Sequence, residues 1–256
     1  MRNGLLAAGI AAVLAVGVSG CATQGPAGGV SPQAGGGGVP HNAFYAALED
    51  AAIPEPREED HDLVSLAPGS AGLVERQTAT GREVLMAMFT TAETVQKFYS
   101  TETGKLPPGK PVLWVTAVPQ MQATCADWAA GEARRQRLIR WLGLPPASKS
   151  DSVVEIWVPA DRLLRPCSDP RTDISACSAT GPVAETAPGV PDYRTFFAGL
   201  YVQSYSVNGA PWTRLGYTYD WDVHSTTHRG ASEFMVSPET PYTVAGRWPL
   251  EAYCTR

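Results

Sequence analysis

What the chain lacks removes most of the chemistries that spacing alone can announce. There is no G-x-S-x-G and no S-x-x-K, so neither serine-nucleophile signature is present. There is no H-E-x-x-H and no C-x-x-C, which removes the helix-borne zinc pair and the commonest zinc or dithiol pattern. Long basic runs are absent, and 20 Lys+Arg stand against 25 Asp+Glu for a net charge of −5. Nucleic acid is therefore not an expected partner. No internal repeat is visible. The apolar run Leu5–Val18 has 14 residues, short of the roughly 20 that a helix needs to cross a bilayer core.

What is present begins at the N-terminus. Arg2, the Leu5–Val18 run and the small residues after it have the order of a secretion signal. The last four, Val18-Ser19-Gly20-Cys21, resemble the lipobox of bacterial lipoproteins. That resemblance implies removal of residues 1–20, diacylation of the Cys21 thiol and acylation of its new amine. Each buried CH₂ contributes about 0.8 kcal/mol, so several acyl chains make a durable membrane anchor. Ala22 follows the cysteine where the family's inner-membrane class has aspartate. This implies the outer membrane of the bacterial cell envelope, with the domain facing the periplasm.

Residues 21–40 hold Gly35-Gly36-Gly37-Gly38 and no aromatic. Such a stretch cannot offset its ordering entropy, so it is expected to be a flexible tether. Residues 41–256 are expected to form a single domain. With Arg2 gone, 19 Lys+Arg stand against 25 Asp+Glu, a balance of −6.

Cysteine usage agrees with export. If Cys21 carries the anchor, Cys125, Cys167, Cys177 and Cys254 remain, an even set for an oxidising compartment. Three pairings exist. The favoured one is Cys167–Cys177, which closes a short Asp/Pro/Arg/Thr loop, leaving Cys125–Cys254.

Val84 to Phe89 is apolar on both faces and predicts a buried strand, as does Val112–Val118. Ser152–Val158 predicts a third strand. Thr91 can cap a short helix through Tyr99, with Val95, Phe98 and Tyr99 on one side. A longer helix is expected from Cys125 to Leu142, with a capping box at Thr124 and Asp127, Gly143 at C′ and Pro145 beyond. Its Arg134, Arg135, Arg137 and Arg140 are expected on a wet face. Asp192 opens another helix, whose Tyr193, Phe196, Phe197, Leu200 and Tyr201 form one stripe. Leu215–Trp221 alternates as a half-exposed strand, paired with one near Glu233–Val236. The fold class is α+β, a mixed or antiparallel sheet with packed helices.

Three candidate sites come from the residues. Gly104–Lys110 has P-loop spacing, but Pro111 stands where a Ser or Thr would hold magnesium, so nucleotide is not expected. Asp220, Asp222 and His224, with His228 beyond, could hold a metal or do acid–base work from one strand face. Such residues more often form the wet side of a strand, and no metal or cofactor is expected. Tyr193–Trp221 holds nine aromatics in 29 residues against 9% chain-wide, and Trp212 is the one expected to be exposed for stacking on a ligand.

Leu142–Pro146, Arg165–Pro170 and Pro211–Asp220 resemble stretches of uncharacterised bacterial envelope proteins, with no activity attached. The expectation is a lipid-anchored, non-enzymatic interaction or scaffolding module with an envelope protein partner. A metal-dependent hydrolase using Asp220–His228, and a glycan- or ligand-binding module, are the alternatives.

Overall fold

Strand β2 (Gly81–Thr90) and strand β5 (Ser152–Pro159) run antiparallel, from Glu83 opposite Pro159 to Thr90 opposite Ser152. Their side chains alternate between two faces, and both faces are covered. Val84, Met86, Met88, Val154, Ile156 and Val158 form one core, closed over by Leu66, Tyr99 and Leu106. Leu85, Ala87 and Val153 belong to a second core on the opposite face. Apolar runs without a polar stripe are the sequence of a strand buried on both sides.

The computed structural model describes residues 41–109, 113–206 and 208–256. Cys21, the signal at 1–20, the tether at 21–40, and Lys110 and Pro111 lie outside the described residues.

Strands β3 (Thr103–Lys105), β4 (Leu113–Ala117), β6 (Leu163–Leu164), β9 (Phe234–Val236) and β10 (Pro241–Pro249) complete the sheet in the order β3-β10-β5-β2-β4-β9-β6, and β1 (Glu75–Thr78) joins the open end of β2. Every pairing is antiparallel. The edge strands β3 and β6 are only three and two residues long, which keeps the rows of unpaired backbone groups short. Six helices accompany them among the described residues: α1 (His41–Ala51), α2 (Ala92–Phe98), α3 (Gln120–Ala126), α4 (Glu132–Trp141), α5 (Tyr193–Ser204) and α6 (Leu250–Thr255). The fold is α+β.

Helix ends follow local chemistry. Thr91 Oγ1 accepts from the Thr94 N–H at 3.1 Å, and the Asp192 carboxylate accepts from the Thr195 N–H at 3.1 Å. Gly143 has φ +66°, and the Leu144 N–H closes on the Ile139 carbonyl at 2.9 Å, ending α4 with a left-handed residue. On α2, Phe98 is exposed while Tyr99 is buried.

Two expectations fail here. The Cys125–Leu142 stretch is two helices rather than one. Thr124 Oγ1 donates back to the Gln120 carbonyl inside α3 instead of capping. The chain then turns, and Gly131 opens α4 at φ +80°. A disulfide holds Cys125 to Cys254 in α6, while α4 packs its own buried residues on the sheet. The second failure is the pairing of the aromatic strand. Strand β7 (Tyr217–Tyr219) pairs with β8 (Arg229–Ser232), whereas Phe234–Val236 bridges β4 and β6.

Residues 165–192 carry no helix or strand of their own. They are fastened by the Cys167–Cys177 disulfide and by a core of Leu164, Val190, Tyr193, Leu200, Trp212 and Met235.

Cys125 and Cys254 are 129 residues apart. The chain-entropy model assigns a closure that long about 4–5 kcal/mol. Replacing both by Ala should lower urea-unfolding stability by an amount of that order. An unchanged midpoint under non-reducing conditions would contradict it.

Candidate functional site

The Asp220–His228 region is a structural knot. Asp220 is 2% exposed, and Arg137 grips its two oxygens at 2.9 and 2.8 Å. Asp222, also buried, takes Arg140 at 3.1 Å and accepts the His224 N–H at 3.0 Å. His224 itself is exposed. The His228 ring stacks on Tyr219 with centroids 5.0 Å apart, and its Nδ1 lies 2.9 Å from the Asp220 carbonyl oxygen. The two carboxylates therefore serve arginines rather than forming the wet side of a strand. Among the described residues no group of three or more His, Cys, Asp or Glu is placed to hold a metal ion.

The same contacts overturn the wet-face reading of the arginines. Arg134 is buried and meets Glu251 at 2.5 Å, and Arg135 joins Glu132 and the Ser148 carbonyl. Arg137 also lies over the Trp128 ring at 4.8 Å. Arg137 and Arg140 bind α4 to the segment after β7, and Arg134 binds it to α6.

Trp212 is likewise not exposed. It is buried, its Nε1–H donates to the Pro166 carbonyl at 3.1 Å, and Phe197 packs edge-on at 4.9 Å. The Tyr205 hydroxyl lies within hydrogen-bond reach of the Ala51 and Trp212 carbonyls and has one proton to share between them.

Trp212 instead lines a cavity of about 320 Å³. Its walls come from Ala87 and Phe89 of β2, Trp114 and Thr116 of β4, Leu142–Leu144 after α4, Leu200 of α5, and Pro211–Trp212. Gln203 and Asn208 line it and are exposed, which sets a polar mouth. The helices α3, α4 and α6 cover the sheet face over Leu85, Ala87 and Val153. Beyond them the face is closed by α5 and residues 208–212, and the cavity lies between the two covers. Its size is in the range of small-molecule sites, roughly 300–1,000 Å³.

Two buried polar atoms of its lining residues have no hydrogen-bond partner. Thr116 and Glu233 both line the cavity, are 4% and 5% exposed, and Thr116 Oγ1 and Glu233 Oε1 make no hydrogen bond. Leaving a buried polar group unsatisfied costs about 1–3 kcal/mol. Burial pushes the Glu233 carboxyl up to about 8, against the pull of Arg165. At neutral pH it is therefore a protonated acid with a hydrogen to donate. It is the one titratable side chain among the lining residues.

Arg165 sits behind this acid. It is fully buried, and its guanidinium donates to the carbonyls of Gly216 at 3.2 Å, Val64 at 2.5 Å and Ile174 at 3.3 Å. The Glu233 N–H reaches the same Gly216 oxygen at 3.0 Å. Gly216 is held at φ +79°, where a Cβ would meet Cys177 Sγ at 2.8 Å and Arg165 Cδ at 2.9 Å.

A second, larger depression includes Asp50, Tyr219, Asp222, His228 and Arg229. Its Asp50, Tyr219, Asp222 and Arg229 side chains already have partners. Asp50 accepts from the Tyr219 hydroxyl at 2.7 Å, and Arg229 donates to the Glu59 carbonyl at 2.8 Å.

The sequence reading missed Thr116 and Glu233. The one local signal is a lone carboxylate directly before the apolar Phe234-Met235-Val236. Compared with protein-family models, curated proteins and solved structures, the chain has no match in any of the three.

Burial pushes Asp222 up, but the His224 N–H, Arg140 and Arg137 outweigh it and hold its pKa below the usual carboxylate range. A lowered folded-state pKa gives stability that is present above the unfolded value, about 4, and lost as pH falls through the folded one. Asp222→Asn should therefore be less stable than wild type at pH 7, with the gap closing as pH falls below about 4. Equal gaps in urea midpoint at neutral and strongly acidic pH would refute this.

Proposed function

We propose that this chain is a lipid-anchored protein of the bacterial cell envelope whose domain binds a small, mostly apolar molecule in the cavity lined by Trp114, Trp212 and Glu233. The observation that carries the binding is the pair of buried, unpartnered oxygens, of Thr116 and Glu233, on the lining of a mostly apolar chamber. A folded protein tolerates such groups where another molecule completes them. Aromatic walls supply the binding area, and one or two polar groups fix orientation.

The location is supported by Arg2, the short apolar run and Val18-Ser19-Gly20-Cys21. Two disulfides suit an oxidising compartment. Binding is preferred to hydrolysis because Asp220 and Asp222 are held by arginines, and because Glu233 has no second titratable group beside it in the cavity. It is preferred to scaffolding because the cavity is a specific concave feature rather than a flat docking face.

Two experiments test the two halves. Metabolic labelling with a palmitate analogue should mark the wild-type protein and leave Cys21→Ser unmarked; equal labelling would defeat the anchor. For binding, the full chain is held in lipid nanodiscs and labelled with 5-fluorotryptophan. Added indole should move the Trp114 and Trp212 fluorine resonances saturably, and Ala210→Trp, which fills the lining, should abolish the response. Absence of saturable shifts with neutral, acidic and basic aromatic probes alike would end the binding proposal.

A further inference from the structure

The two unpartnered groups of the cavity both have protons to give. Thr116 carries a hydroxyl, and Glu233 carries a carboxyl whose Oε1 meets no donor or acceptor. Behind Glu233 stands a cation that the cavity does not expose. Arg165 Nη1 and the Glu233 N–H converge on one oxygen, that of Gly216, at 3.2 and 3.0 Å. The rest of the guanidinium is spent on the Val64 and Ile174 carbonyls, with its Nε–H unpartnered and the Phe234 ring 4.4 Å away. An organic cation entering the cavity would meet that positive field in surroundings that screen it poorly. An oxygen acceptor would meet two hydroxyl donors and an attractive field.

We infer that the ligand presents a carbonyl or carboxylate oxygen to Glu233 and Thr116 and lays a compact apolar body against Trp114 and Trp212. This rests on the ligand-binding reading above and names the chemistry of what is bound. The raised pKa of Glu233, about 8, supports it by keeping the acid's proton in place at neutral pH. The other titratable groups coupled to Glu233 are Arg165 after β6, Tyr193 at the start of α5 and Tyr205 at its end. Burial pushes both tyrosines up, and Arg165, pulled down to about 10 by burial, stays charged below that value. Glu233 is thus the member of the group that titrates nearest neutrality.

The test uses three probes with one body: 3-phenylpropanoate, 3-phenylpropanamide and 3-phenylpropylamine, titrated into the fluorotryptophan-labelled full chain in nanodiscs. The first two should bind at pH 7 at least about tenfold more tightly than the amine, and their relative affinity separates a carboxylate from a neutral carbonyl as the preferred group. Binding of the amide should fall by up to about tenfold per pH unit once Glu233 loses its proton above pH 8. Glu233→Gln keeps an N–H donor and removes the titration, so it should retain amide binding at pH 7 and lose the alkaline decline. If that variant does not fold, Thr116→Val, which removes one donor at nearly constant shape, should weaken acid and amide about fivefold, the worth of one neutral hydrogen bond. An amine that binds as tightly as the amide, or amide binding that tightens from pH 7 to 9, overturns the acceptor inference while leaving ligand binding intact. Failure of all three probes to bind, together with indole, overturns both.

Discussion

A guanidinium cut off from water must find its hydrogen bonds inside the protein. Arg165 finds them on three carbonyls from three distant stretches: Val64 before β1, Ile174 in the Cys167–Cys177 loop, and Gly216 before β7. Those stretches have little regular structure of their own, and Arg165 is where they meet. Gly216 must be glycine for the meeting to occur, since its φ is +79° and Arg165 and Cys177 occupy the space of a side chain. The Tyr193 hydroxyl reaches the Arg165 and Cys167 carbonyls at 3.2 and 2.8 Å, so the start of α5 is registered on the same point. The wall of the cavity formed by α5 and Trp212 inherits its position from this buried charge. So does the field in which Glu233 sits.

The protein thus combines two kinds of packing. The long strands β2 and β5 are secured by apolar side chains on both faces. The layer made of α5, β7, β8 and residues 208–222 has apolar clusters of its own, and to these it adds hydrogen bonds to backbone carbonyls and ion pairs with α4. Apolar packing is non-directional and fills space. Hydrogen-bonded connections fix positions without requiring that every gap be filled. The cavity lies at the junction of these two regimes.

That division also explains what could be read from the sequence. The two-faced apolar run of β2, the existence of strand β5, the helix starts at Thr91 and Asp192 and the Gly143 stop are written in neighbouring residues and were legible. The short loop between Cys167 and Cys177 points to the bond that joins them. The fates of Asp220 and Asp222 were not legible, because Arg137 and Arg140 are 83 and 82 residues away in the chain. Alternation with aromatics says that such carboxylates face away from a strand's apolar side. It cannot say that an arginine-bearing helix lies there. The break at Gly131 was hidden because Ala129 and Ala130 are good helix formers and the constraint is a disulfide to α6. Thr116 and Glu233 carry no pattern at all. Their isolation is set by the pairing of β9 with β4, which is a property of the assembled sheet.

Strand β10 is the last strand in the chain, yet it lies between β3 and β5. Strand β5 consequently has only one of its two neighbours until residues 241–249 are available, and Cys125 has no partner until residue 254 is. A chain delivered from its N-terminus, whether from a ribosome or through a membrane pore, cannot complete this sheet piecemeal. The chain before residue 241 must wait, with a long apolar strand edge open, for the final segment to arrive. The order of delivery makes the interval before β10 docks the period in which this protein most needs protection from its neighbours.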